Sequence, residues 1–278
     1  MTEIVPGYRM LGLIGQGGFS DVHQARDEKL NRLVALKVLK LGSVDRRTMR
    51  RFHRECQITA GLSEHPNIVT IFENGTTRSG RPYIAMEYFG HGALSDRLKR
   101  DGPLPVTDVL RIGVKMAGAL AATHGAEVVH CDIKPQNILV SRYEEPALAD
   151  FGIARLADAS EVSATPAFTP VHAAPEVLNG TEPSFGSDVY SLGSTLYQLL
   201  AGLPAFKGPP GEGPAALIRR IQHDAAPPIP RSDVPPQVIE AILRAMAKAP
   251  EERFATAVEV AQHLRQVQKE LGLDATEA

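Results

Sequence analysis

The sequence predicts an α+β chain in two parts, a small β-rich lobe with one helix followed by a larger, mainly helical lobe. Residues 8–14, 20–26 and 33–40 are short β-branched or alternating runs, separated by turns rich in Gly, Asp and Asn. A single basic amphipathic segment, Arg46–Leu62, interrupts the strand pattern. After Gly90 and Gly92 the apolar spacing changes to a helical period, which dominates from residue 187 onward.

The elements follow in order. After the basic helix come two strands, Asn67–Asn74 and Arg81–Tyr88, with Asn74-Gly75 and Ser79-Gly80 as turn formers between them. Residues 105–124 carry apolar side chains at 106, 109/110, 116/117 and 120 and read as a helix. Further helices are expected over 187–200, with Ser187 as N-cap, and over 214–223, 236–246 and 255–271. Gly202 and the Pro/Gly-rich stretch to 214 end and follow the first of these. The domain is expected over 1–272: small lobe about 8–87, hinge 87–92, large lobe about 93–270, and a tail at 273–278. A ligand is expected in the cleft at such a junction.

A chain of 278 residues is long enough for substantial cores in both parts. A net charge of -2 offers no basic surplus and argues against nucleic acid as the main partner. Two well-separated cysteines, Cys56 and Cys131, make no disulfide framework and fit a reducing cytoplasm. No apolar run reaches the ~18 residues of a membrane span. The chain is expected to be cytoplasmic, alone or as the cytoplasmic part of a longer protein.

Five stretches carry chemistry-bearing residues. Gly15-x-Gly17-x-x-Ser20-x-Val22 reads either as a hairpin turn or as a loop whose free N–H groups meet a phosphate. A dinucleotide fingerprint would need a helix straight after it, and the following residues alternate like strands. Lys37 lies in an apolar strand pattern, as an outward-facing lysine or as one held inside for a purpose. Glu55 is its natural partner, or a helix-surface partner of Arg51. Asp132, Lys134 and Asn137 form a polar knot between apolar runs, and Asp150 precedes a mobile Phe-Gly pair. Asn137 and Asp150 offer the oxygen ligands Mg²⁺ prefers, with Asp132 left for proton work; each alone could also be a turn former.

The set in order, closed by Ala174-Pro175-Glu176, matches the protein-kinase signature. The chain resembles the eukaryotic-like serine/threonine protein kinases of bacteria from about residue 8 to about 268. The resemblance implies a bilobal fold with a small antiparallel β-lobe, ATP and Mg²⁺ as cofactors, and Ser/Thr hydroxyls of proteins as substrates, autophosphorylation included. Bacterial relatives also form homodimers through the small lobe. By resemblance, Ile14, Gly15, Gly17 and the backbone to Val22 cover the nucleotide. Lys37, held by Glu55, contacts the α- and β-phosphates. Asp132 accepts or orients the substrate hydroxyl, Lys134 stabilises the γ-phosphate, and Asn137 and Asp150 hold Mg²⁺. Val22, Ala35 and Leu139 sandwich the adenine, Met86 backs it, and the backbone of Glu87–Phe89 meets its edge. Glu176 pairs with Arg253, and Asp188 braces the catalytic loop.

The departures from the family pattern are specific. The third glycine is Ser20, Ala93 stands where an acidic ribose contact is frequent, and His172 stands where tyrosine is common. Thr169 takes the position of the threonine that meets the catalytic loop. The residue before Asp132 is Cys131, where most regulated kinases have an arginine that a phosphorylated activation segment pairs. A neutral thiol cannot form that pair, and the cost of an unpaired buried arginine, about 3–5 kcal/mol by analogy with a broken buried pair, disappears. Activity is therefore expected not to depend on activation-segment phosphorylation, with Ser160, Ser163 and Thr165 as outputs rather than switches. Cys131 is either a small packed residue or a redox switch; the adjacent carboxylate raises a thiol pKa and argues against the switch. The alternative function is a nucleotide-binding pseudokinase or scaffold, though the lysine and carboxylates usually lost in such proteins are all present. A small-molecule phosphotransferase would generally lack the Ala-Pro-Glu segment and the Asp188 and Arg253 braces.

Overall fold

The computed structural model describes residues 4–18, 20–40, 46–151, 171–209 and 211–278, without the side chains of 46–48, 51 and 55. These residues form two compact units, one of residues up to 90 with Phe151, the other of residues 91–150 and 171–278.

The first unit is a five-stranded antiparallel sheet with one helix. Strands β1 (Tyr8–Gln16), β2 (Ser20–Asp27), β3 (Arg32–Leu39), β4 (Ile71–Thr76) and β5 (Pro82–Glu87) lie in the order β1-β2-β3-β5-β4, with α1 (Arg46–Gly61) between β3 and β4. Because side chains alternate along a strand and paired residues share a face, register decides what meets what. Val34, Leu36 and Val38 pair with Ala25, Ala85 and Tyr83 in turn, and with Val5 they close the core of this unit. Ala35 and Lys37 are thereby committed to the opposite face. Lys37 pairs with Val22 on one side and Ile84 on the other, Ala35 pairs with Met86, and Val22 pairs with Gly15. One transverse row thus carries Gly15, Val22, Lys37 and Ile84.

Asn74-Gly75 does not turn the chain as expected. Both residues lie in β4, and the turn falls at 77–80, where Thr77 N–H donates to Arg81 O (2.8 Å) and Gly80 N–H to Thr77 O (3.0 Å). Gly75 answers to packing: a Cβ there would stand 2.9 Å from the Tyr83 ring.

The second unit is built on α2 (Leu94–Asp101), α3 (Val106–Gly125), α4 (Pro175–Leu178), α5 (Phe185–Ala201), α6 (Pro214–His223), α7 (Pro236–Ala245) and α8 (Ala257–Glu270), with a small hairpin of β6 (Ile138–Val140) and β7 (Pro146–Leu148). Two glycines let its helices close in. At Gly113 of α3 a Cβ would stand 2.8 Å from Leu264 of α8 and 3.1 Å from Leu196 of α5, and at Gly193 of α5 one would stand 2.7 Å from Ala245 of α7. Ser187 is not the cap of α5. Ser184 is, accepting from Ser187 N–H, while Ser187 Oγ accepts from Ser184 N–H (2.9 Å), so the two serines cap reciprocally one turn earlier. Gly202 ends α5 in the left-handed conformation, at φ 83°. Among the described residues no helix is long and apolar enough to cross a membrane.

Candidate active site

The hairpin β6–β7 carries the polar knot. Pro135–Asn137 forms a single 3₁₀ turn leading into β6, and Asn137 O accepts from Ala149 N–H (2.8 Å), one step beyond the Ile138–Leu148 pair. Asn137 and Asp150 therefore emerge at the same end of the hairpin. Asn137 is buried, and its Nδ2 donates to Asp132 O and to Asp132 Oδ2, both at 2.8 Å. With the amide nitrogen so committed, Oδ1 is the acceptor of that side chain and has no partner among the described residues. Lys134 Nζ also meets Asp132 Oδ2, at 2.7 Å. Both donors fall on one oxygen, and among the described residues nothing bonds Asp132 Oδ1. The carboxylate is held in a fixed orientation with one lone-pair face open.

The backbone of this loop is held from α5. Asp188, 1% exposed, accepts from His130 N–H (2.8 Å) and Cys131 N–H (2.9 Å), and its Oδ2 also meets His124 Nε2 at the end of α3 (3.0 Å). Cys131 has φ 69° and Asp150 φ 67°, conformations that cost a non-glycine residue about 1–2 kcal/mol. At Cys131 each bond from a backbone N–H to the buried carboxylate is worth about 1.5–3 kcal/mol, so the brace outweighs the strain. The Cys131 thiol points back along its own loop and donates to Val129 O (3.5 Å).

His130 is fully buried. Asp132 N–H donates to its Nδ1 (3.3 Å), so Nε2 carries the proton and donates to Ala149 O (3.0 Å). Burial pushes its pKa down despite the nearby carboxylates of Asp188, Asp132 and Asp150. The imidazole is thus a neutral strut between the two ends of the hairpin, not a proton carrier.

In the first unit Lys37 is 7% exposed, which rules out an outward-facing strand lysine. Val22, Ala35 and Met86 lie on its face of the sheet by register. Gly15, Gly17 and Gly18 are not required by the fold. None has positive φ, and a Cβ would meet nothing nearer than 3.5 Å at Gly15 and Gly17 and nothing within 4 Å at Gly18. Glycine in such a place suits a backbone that another molecule must approach closely. Ile14 is half exposed beside them. Glu87 N–H donates to Thr70 O (2.9 Å), so any contact it makes to an adenine edge runs through its carbonyl; Phe89 follows two residues on. Leu139 lies in β6 of the second unit, bridged to Ala93. The side chain of Glu55 and residues Ser160, Ser163, Thr165 and Thr169 lie outside the described residues.

These geometries meet a direct likeness. A family model described as the protein kinase domain matches residues 8–264. The chain belongs to the protein kinase family. It is a serine/threonine protein kinase catalytic domain of the bacterial type. Serine/threonine-protein kinase PknK of Mycobacterium bovis is 43% identical over 276 residues, which cover 98% of this kinase domain and 24% of PknK. PknB of Mycobacterium leprae is 37% identical over 91% of the domain and 42% of its own length. The protein named pkn3 in Myxococcus xanthus is 36% identical, over 95% and 50%. The domain thus spans about a quarter of PknK and up to half of the others. Protein kinases work with ATP and a divalent cation, and the donor set here fits both. Asn137 Oδ1 and the Asp150 carboxylate are hard oxygens of the kind Mg²⁺ takes alongside substrate phosphates.

Two features of the kinase domain were not legible beforehand. His124 joins the brace on Asp188 from the last turn of α3, stacked on Phe185 with ring centroids 4.3 Å apart. His172, in place of the usual tyrosine, is buried against α5. Its Nδ1 meets Ser194 Oγ (2.9 Å), its carbonyl accepts from Ser191 Oγ (2.9 Å), and its Nε2 faces Gln198 without closing a hydrogen bond. Burial lowers its pKa from 6.5 to about 4. The unfolded chain takes up a proton near pH 6.5 that the folded chain refuses until about pH 4. The stabilisation is therefore complete above pH 6.5 and lost as pH falls, by about 3 kcal/mol across the window. Urea unfolding at pH 7.5 and pH 4.5 should show this loss, and His172→Tyr should shrink it. An equal loss in both proteins would remove His172 as its source.

Proposed function

We propose that this kinase domain transfers the γ-phosphoryl group of Mg·ATP to Ser and Thr hydroxyls of proteins, its own chain included. The observation that carries the proposal is Asp132, with Oδ2 taken by Lys134 and Asn137 and Oδ1 open. A substrate hydroxyl donating to Oδ1 is aligned for attack and loses its proton there as the new P–O bond forms and the bond from the γ-phosphorus to the bridging oxygen breaks, leaving ADP. Lys134, already on Asp132, is placed to share charge with the transferred group. Lys37, buried and paired in register with Val22, is assigned the α- and β-phosphates, with Glu55 as its partner. Val22, Ala35, Met86, Leu139 and the Glu87–Phe89 backbone are assigned the adenine. Asn137 and Asp150 would hold Mg²⁺, which when bound neutralises charge on the β- and γ-phosphate oxygens. Catalysis of this kind is mostly positioning, and the brace on Asp188 supplies it.

Boundaries of 1–272 with a short tail, a cytoplasmic location and protein substrates belong to the same proposal. So does independence from activation-segment phosphorylation, supported by Cys131, whose thiol turns to Val129 O and presents no cation for a phosphate to pair. Phosphatase treatment should leave most of the activity toward a generic protein substrate; loss of nearly all of it would end this part.

The function itself is tested by incubating the protein with Mg²⁺ and ATP and reading phosphate incorporation by intact mass, beside Asp132→Ala. Incorporation confined to the unaltered protein supports transfer. Nucleotide binding without any incorporation, with or without an added protein substrate, would favour a pseudokinase.

A further inference from the structure

The glycine loop is held by a residue to which neither the sequence nor the reaction assigns a role. Strand β3 ends at Leu39, opposite Ser20, so Lys40 leaves the sheet level with the turn that joins β1 to β2. Its ammonium donates to Gly17 O at 2.9 Å and stands 2.9 Å from Asp21 Oδ1. That carboxylate oxygen is buried and has no other partner among the described residues. Among the described residues the turn is otherwise closed by its own bond, Gly17 N–H to Ser20 O (2.8 Å), beyond the Gln16–Asp21 strand pair. A Cβ at Gly18 would meet nothing within 4 Å and one at Gly17 only the Ser20 carbonyl at 3.5 Å, so side-chain packing does not fix these two residues. Lys40 is the one side chain among the described residues that bonds Gln16–Gly18 from outside.

We infer that Lys40 is a positioning residue that latches the glycine loop over a bound nucleotide, with Asp21 as the second anchor of its ammonium. Its place relative to Lys37 is set by strand register. Lys37 pairs with Val22 on the sheet, while Lys40, three residues on, reaches the carbonyl at the loop's tip. In a trans peptide unit the C=O and N–H point opposite ways, so a Gly17 carbonyl drawn back to Lys40 turns the Gly18 N–H toward the phosphates. The nucleotide leaves when this bond opens, so Lys40 acts on retention and not on the chemical step. The nucleotide part of this inference rests on the proposed function; the latch itself does not.

The first arm is hydrogen–deuterium exchange of the nucleotide-free protein, read over residues 14–22. Lys40→Met should exchange faster there and Lys40→Arg should restore protection, since a guanidinium can still bridge both oxygens. The second arm is release of a fluorescent ADP analogue and steady-state kinetics. Release should be about tenfold faster in Lys40→Met, the order expected for one charge-assisted hydrogen bond. KM for ATP should rise with kcat not lowered. Asp21→Asn/Lys40→Met removes the orphaned carboxylate charge and serves if the single variant folds poorly. Unchanged exchange and unchanged release would overturn the latch, as expected for a pair that is only a surface ion pair. If the unaltered protein binds no nucleotide, the kinase reading fails, and the exchange arm still decides whether Lys40 holds the loop.

Discussion

Asp132→Ala is expected to lower kcat about 10³-fold while leaving nucleotide affinity within about threefold, a loss of about 4 kcal/mol confined to the transition state. The reason lies in how the carboxylate is held. Lys134 and Asn137 both bond Oδ2, so Oδ1 is presented in one direction and needs no reorganisation when a hydroxyl arrives. Asp132→Asn keeps the volume and the bond from Asn137 but cannot take a proton, and should lose nearly as much. Steady-state rates with direct nucleotide titration separate the two quantities. A variant that keeps its kcat would remove Asp132 from the chemistry, and a comparable loss of nucleotide affinity would make it a binding residue.

The second large effect is on stability. The Arg253 side chain is 0% exposed, and all five of its N–H donors are used. Two bond Glu176 as a bidentate pair at 2.7 Å each, and the others reach Gly186 O (2.9 Å), Lys248 O (3.1 Å) and Ala247 O (2.8 Å), with the guanidinium 5.0 Å above the Tyr190 ring. Removing it strands a carboxylate and three carbonyls at once. Arg253→Ala should cost about 3–5 kcal/mol, on the order of 10 °C in melting temperature. Arg253→Lys should recover little, because an ammonium cannot serve the fork or reach all five acceptors. Thermal unfolding measures both; a fall of under about 2 °C in Arg253→Ala would show that water or rearrangement replaces these bonds.

The legible parts of the fold were those written in local spacing. The helices over 214–223 and 236–245 carry their own apolar period and start at prolines, so neighbours in sequence define them. A strand leading to Asp150 is readable from its apolar run, but its pairing with 138–140 and the short helix at 94–101 are not, because three-residue strands and an eight-residue helix give too few repeats for a period to show. Asn74-Gly75 misled for a different reason. Its composition is that of a turn, but the glycine answers to the Tyr83 ring packed on it from β5. At the site, Asp132, Lys134 and Asn137 are five residues apart and readable together, and the open Oδ1 is a matter of where two donors fall.

The sequence by itself determined which chemical groups the chain owns and in what order: the glycines, Lys37, the Asp132–Asn137 knot, Asp150 and the Glu176 and Arg253 that pair. Tertiary structure alone decided how they are held. Asp188, whose brace the family resemblance implied, reaches back from α5 to the backbone of a strained Cys131, His124 joins it from α3, His172 is buried beside Ser194, and Lys40 bonds a carbonyl 23 residues away. Spacing along a chain encodes periods of two and 3.6 residues. Contacts across tens of residues exist only once packing has brought the elements together.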